Sequence, residues 1–264
     1  MNNTLLDKFV ESFYENEIKK KCKEIPNSIG GFVPIAVSLA YEDTKRVCKG
    51  IGEYVQKKSN ALNEIMGMIN SFICEPILYV GGFCSLHGDL CQIWVDAFPG
   101  DTSLGTYGKA QKVVNMTFKY LHAYSYINKK HILDKFEECH FTLDSYTLEW
   151  LYECKKSDGK EGKLTKEEKE KLRKLKSDAT WSSLSPSDYE AIQNYACRCV
   201  KNRCENWTPL QAEYVVWENV KLWNMLKSAS SIMDSYPDSS LMSRCGNTIS
   251  DPGCLLGFIK KATE

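Results

Sequence analysis

Along most of the chain, apolar residues recur every third or fourth position between short polar breaks, the spacing of helices with one buried face. Leu5, Leu6, Phe9, Val10, Phe13 and Tyr14 predict a first such helix. Pro34 suits a first helical turn, and the helix it opens is expected to stop at Gly50. The next runs from about Glu53 to Ile73 and ends ahead of Pro76, because a residue preceding proline is pushed out of helical dihedrals. Leu86 to Ala97 follows, closed by the turn Phe98-Pro99-Gly100-Asp101. A helix opened by Gly105-Thr106-Tyr107-Gly108 comes next, then one over Asn128 to Glu138, then one after Asp144-Ser145. Ser185-Pro186 and Thr208-Pro209 each set a capping hydroxyl before a proline at the first helical position. The best strand candidate is the short run Ile77 to Val80.

These elements predict an all-α protein, a single globular helical domain. Residues 1–154 form a helical core with the candidate site, and 155–180 a charged surface excursion in which Thr165 and Glu168 make a capping box. Residues 181–264 add C-terminal helices packed on the same core, with an irregular tail beyond Lys227.

One helix departs from the simple pattern. Ala110, Val113, Val114, Phe118 and Leu121 give its apolar stripe, while Lys109, Lys112, Asn115 and Lys119 fall within a sector of about 120°. Polar groups gathered beside an apolar stripe mark either a site or a solvated face. On the second reading the lysines face water and Asp144-Ser145 only caps the following helix.

Charge narrows the options. Basic and acidic residues balance at 34 each, which counts against a non-specific DNA coat but not against a protein that grips a few phosphates. The N-terminus shows no basic segment followed by an apolar core. Apolar stretches such as Phe72 to Val80 are far shorter than the roughly 20 residues a membrane span requires. A cytoplasmic protein with no membrane contact is expected. Its twelve cysteines then read as reduced thiols, with Cys48, Cys74, Cys91 and Cys139 at positions that helices would bury. Cys197, Cys199, Cys204, Cys245 and Cys254 could supply metal ligands, but the chain contains no C-x-x-C pair, so neither a metal nor another cofactor is expected. Of the histidines, His140 stands closest in sequence to Asp144 and is expected to shape a pocket there or to sit hydrogen-bonded in the core. Adjacent Cys139 and His140 are not expected to face each other productively. Tyr107, Tyr120, Tyr124, Tyr126, Trp94 and Trp181 could stack on a base, although aromatics at helical spacing are more often core.

The candidate chemistry pairs Lys112 with Asp144. A neutral amine can attack a sugar carbon, and a carboxylate can stabilise the positive charge that develops there. The order Gly105-Thr106-Tyr107-Gly108, Lys112-Val113-Val114-Asn115, helix, Phe141-Thr142-Leu143-Asp144 resembles the signature of helix-hairpin-helix DNA glycosylases. The glycines here are spaced G-x-x-G where that family's hairpin reads G-x-G, and an insertion around Tyr124 to Lys135 lengthens the path to Asp144. The resemblance implies that backbone N–H groups at Gly105 and Gly108 hold a DNA phosphate. It further implies that Lys112, or Lys109, attacks C1′, that Asp144 is the essential carboxylate, and that Asn115, Lys119 and His140 lie beside the nucleic acid. A wider pattern, Gly108-Lys109-Ala110-Gln111-Lys112 through His140 to Ser145, then Trp181 to Leu184 and Tyr189, is similar to a family of bacterial and phage proteins with no assigned activity. The expected function is a DNA-interacting protein, a base-excision glycosylase or lyase acting on a flipped base. The alternatives are a non-enzymatic nucleotide- or protein-binding module in a bacterial or phage defence or counter-defence system, and a purely structural subunit.

Overall fold

A computed structural model of the chain describes residues 4–48, 51–75, 79, 80, 82–99, 104–130, 132–157, 181–203 and 207–233. Among these there are eight α-helices and no strand. The helices are α1 Thr4–Phe13, α2 Ile29–Lys45, α3 Val55–Cys74, α4 Gly82–Ala97, α5 Tyr107–Ile127, α6 Ser145–Ser157, α7 Pro186–Arg203 and α8 Pro209–Met233. The charged excursion falls almost wholly outside the described residues, as do Cys204, Cys245, Cys254 and half of the Ile77–Val80 run.

Caps set several boundaries that periodicity alone misplaces. The Ser28 hydroxyl accepts from Gly31 N (3.1 Å), so α2 begins at Ile29 and Pro34 lies inside the helix rather than in its first turn. The same helix ends at Lys45, not Gly50. Asn128 to Glu138 is not a helix. Asn128 Nδ2 caps the Tyr124 carbonyl (2.8 Å), Lys129 takes φ +50°, and only the short 3₁₀ turn Leu133–Phe136 follows. Ser185 and Thr208 cap α7 and α8 as their sequences predict. Helix α8 continues to Met233, past the expected end at Lys227.

Two apolar clusters meet at α5. One joins the inner faces of α1 to α5; the other gathers Phe141, Leu143, Trp150, Trp181 and residues of α6, α7 and α8. As a consequence α5 is covered on every side, with each residue from Gly108 to Ser125 buried. Gly108 is where the second cluster comes closest. A Cβ there would stand 2.1 Å from the Trp181 carbonyl oxygen, a contact that only glycine avoids.

Gly108→Ala is therefore expected to destabilise the protein by about 3 kcal/mol, at the upper end for an overpacked site. Gly67→Ala in α3, where nothing stands within 4 Å of the new methyl, should stabilise by roughly 0.5–1 kcal/mol. Urea unfolding of both variants checks the contrast.

Candidate functional site

A helix buried on all sides must match each of its polar groups, because an unpaired polar group costs about 1–3 kcal/mol and an unpaired charge more. Helix α5 meets most of this demand by reaching the elements around it, leaving Asn115 Oδ1 buried without a hydrogen-bond partner among the described residues. Gln111 donates to the carbonyls of Gly108 (2.9 Å) and Leu143 (2.8 Å). Tyr120 donates to Asp43 Oδ2 (2.6 Å), and the His122 ring meets the Tyr214 hydroxyl (3.2 Å). The lysines are not solvated: Lys109, Lys112 and Lys119 are 5%, 3% and 2% exposed. The solvated-face reading therefore fails.

Lys119 Nζ donates to Glu213 Oε1 on α8 (2.8 Å) and is ringed by Phe13, Tyr214 and Trp217, with centroids 4.9 to 5.9 Å away. The other oxygen of Glu213 accepts from Thr142 N (2.8 Å). Lys112 is held more loosely. Its Nζ donates to Asp144 Oδ2 at 3.3 Å and lies 4.5 Å over the Trp181 ring. Each ammonium has three donors and, among the described residues, one acceptor, so the two differ in the length of that contact and in the number of rings beside it. Asp144 Oδ1 accepts from Tyr146 N (3.0 Å) and Thr147 N (3.1 Å), so Asp144 caps α6 with one oxygen and meets Lys112 with the other.

Both lysines and Asp144 line a pocket of about 290 Å³, near the lower end for small-ligand sites. Its apolar walls are Phe13, Met116, Tyr120 and Trp217, and its mouth carries Glu17, Glu42, Asp43 and Arg46. A π-helical turn, Tyr14–Lys19, breaks the regular helix directly beside the pocket and carries Glu17; such turns recur at functional sites. Lys21 pairs with Glu17 (2.6 Å) and Asp43 (3.5 Å), and Lys45 pairs with Glu42. Arg46, exposed, is the cation on the pocket wall without an ion pair among the described residues.

The remaining sequence-selected residues lie elsewhere. Lys109 is buried beside Cys48, whose thiol burial pushes up to about 11 against the pull of that lysine. Gly105 would carry a Cβ 2.6 Å from the Phe98 carbonyl oxygen, and Gly108 packs on residues 181–184, so both glycines serve close protein packing. Asn115 and His140 do not line the pocket. Asn115 Nδ2 donates to Gln111 (3.0 Å) and to the Tyr189 hydroxyl (2.9 Å), and that hydroxyl also meets His140 Nδ1 (2.9 Å). Cys48, Cys91 and Cys139 are buried as expected, but Cys74 is exposed. Trp94 and Tyr124 are core, with Trp94 donating to the Leu104 carbonyl (3.0 Å). No helix among the described residues is long and apolar enough to cross a membrane.

Sequence reasoning missed Glu213, Trp217, Glu17 and Asp43. Only Glu213 leaves a signal, as a lone acid inside the apolar run Leu210 to Val216. Comparison of the chain with protein-family models, curated proteins and solved structures returns no match in any of the three.

Glu213→Ala, which strands the Lys119 charge, should cost about 3–5 kcal/mol, and Lys119→Met added to it should recover much of that loss in urea melts. Acid should weaken the fold as well. Burial lowers His122 and His140 to about 4 each, whereas unfolded histidine titrates near 6.5. Their neutral forms contribute fully above about pH 6.5, and roughly 2–3 kcal/mol per ring is lost as pH falls toward 4. Unfolding midpoints measured from pH 7.5 to 4.5 should stay level above 7 and drop below 6.5.

Proposed function

We propose that the pocket is a reaction site for a nucleoside unit presented by DNA, with Lys112 as attacking amine and Asp144 as its proton acceptor. The supporting observation is the 3.3 Å contact between Lys112 Nζ and Asp144 Oδ2 on the wall of a pocket large enough for a base. Lys119 is enclosed by Glu213 at 2.8 Å and by three rings, so it serves structure; Lys112, 3.3 Å from its acceptor and beside one ring, is the lysine more readily released to a ligand.

Attack requires the ammonium to lose a proton. A ligand that displaces water from the pocket disfavours separated charge, and the proton then passes to Asp144. The amine nitrogen bonds to C1′, the glycosidic bond breaks, and the departing base takes the proton from Asp144. The carboxylate regenerated in that step faces the positive charge left on the sugar–amine adduct. Base extrusion supplies the substrate, and Trp217 and Phe13 are the rings available to stack on it.

Borohydride should trap a covalent protein–DNA adduct on duplexes carrying a modified base or an abasic site. Lys112→Ala should abolish the adduct, and Lys109→Ala should leave it intact. Asp144→Asn should reduce trapping at least about 100-fold if proton transfer is as important as in other acid–base catalysts. No adduct across a substrate panel, with a folded protein, would overturn the lyase chemistry.

The charge at the mouth favours a second reading. Glu17, Glu42 and Asp43 are matched by Lys21, Lys45 and Arg46, which gives no net positive face to receive a duplex backbone. A free nucleotide needs only one cation for its phosphate, and Arg46 is placed for it. Under this reading a nucleoside monophosphate raises the melting temperature, Arg46→Ala removes the shift, and no adduct forms.

A further inference from the structure

Away from the pocket, α4, α7 and the segment before α6 bring a thiol and two imidazoles together. Cys84 is exposed in the first turn of α4, and its Sγ lies 3.3 Å from His140 Nε2. The other ring nitrogen of His140 meets the Tyr189 hydroxyl at 2.9 Å. Tyr189 is buried, held by Asn115 Nδ2 (2.9 Å) from α5, and its hydroxyl also reaches His87 Nε2 (3.1 Å).

We propose that Cys84 is the nucleophile of a second site, in which His140 takes the thiol proton and Tyr189 positions the imidazole. The substrate class is an acyl ester or thioester. In the tautomer that serves this role, His140 Nδ1–H donates to the Tyr189 oxygen, Tyr189 O–H points to His87, and Nε2 is free to accept from Cys84 S–H. Every proton in the chain then has an acceptor. Substrates have room: Gly88, one turn along the same face of α4, has nothing within 4 Å of where a Cβ would sit.

The charges around the pair fix its resting state. Cys84 is raised by burial and by Glu138 and Glu190, and Cys197 faces it from α7. His140 is lowered to about 4 by burial; Phe83, His87 and Tyr189 pack against its ring. The pair therefore rests as neutral thiol and neutral imidazole. In the reaction, the S–H proton moves to His140 Nε2, sulfur bonds to the acyl carbon, and the bond to the leaving oxygen or sulfur breaks. His140 returns its proton to the leaving group. Water then cleaves the S-acyl bond, releasing the acid and restoring the thiol.

The test uses the full chain and p-nitrophenyl acetate, with peptide mass spectrometry to locate the acetyl group. Cys74, also exposed and hydrogen-bonded to Asn70 rather than to an imidazole, is the internal control. At pH 6.5 Cys84 should acylate at least about 10-fold faster than Cys74, a modest share of what a positioned base contributes. Its rate should stay level from pH 6 to 8, whereas an unassisted thiol speeds up about tenfold per pH unit through thiolate formation. Equal rates at the two cysteines, or a Cys84 rate that climbs tenfold per unit, would overturn the proposal without any variant. His140→Asn should bring Cys84 down to the Cys74 rate, and an unchanged rate in a folded variant would count against it. Tyr189→Phe should give the Cys84 profile a rise with pH while leaving Cys74 as it was.

Discussion

The burial of α5 on all sides is the constraint from which the rest of the molecule follows. An ordinary core helix satisfies this condition by being apolar throughout, but α5 carries three lysines, an asparagine, a glutamine and a histidine among its eighteen consecutive buried residues. Each needs a partner, and the partners are spread over the elements around it. Asp43 belongs to α2, Leu143 and Asp144 precede α6, Tyr189 is on α7, and Glu213 and Tyr214 are on α8. Apolar packing brings these elements together; the polar demands of α5 decide their register.

The two buried ion pairs differ in how closely their surroundings enclose them. Lys119 and Glu213 have an acceptor, a backbone donor and three aromatic faces between them. Lys112 and Asp144 are likewise a lysine and a carboxylate at similar burial, yet their contact is longer and the lysine has one ring beside it rather than three. Trp181 seals one side of Lys112, and the pocket opens beside it. A charge kept under-satisfied at a cavity wall raises the energy of the empty protein and is relieved by a ligand.

Asn115 links that centre to the second cluster. It does not line the pocket and joins Gln111 to Tyr189, which in turn orients His140 toward Cys84. One turn of α5 therefore borders both the pocket and the Cys84 cluster, from adjacent faces about 60° apart. The positions of Asn115 and His140 explain why residues that look like one constellation in sequence divide in space: Asn115 follows Lys112 by three residues, and His140 precedes Asp144 by four, but Lys112 and Asp144 line the pocket while Asn115 and His140 meet at Tyr189.

The sequence by itself determined the helical class and most helix positions. Local chemistry carries that information: apolar spacing, the Ser185-Pro186 and Thr208-Pro209 starts, and the breaks near Pro76 and Phe98. It also singled out Lys112 and Asp144, residues 32 apart that the fold brings to 3.3 Å. Boundaries set by a distant or unusual contact were not legible, such as the Ser28 cap or the turn at Lys129. Nor was the burial of the lysines, because whether a polar sector faces water depends on what covers it. The helices α6, α7 and α8 that cover α5 lie further along the chain, and no local pattern records where they pack. Tertiary structure alone decided that Glu213 neutralises Lys119, that Trp217 walls the pocket, and that Cys84 meets His140, since each contact joins residues that only the closing of the helices brings within reach.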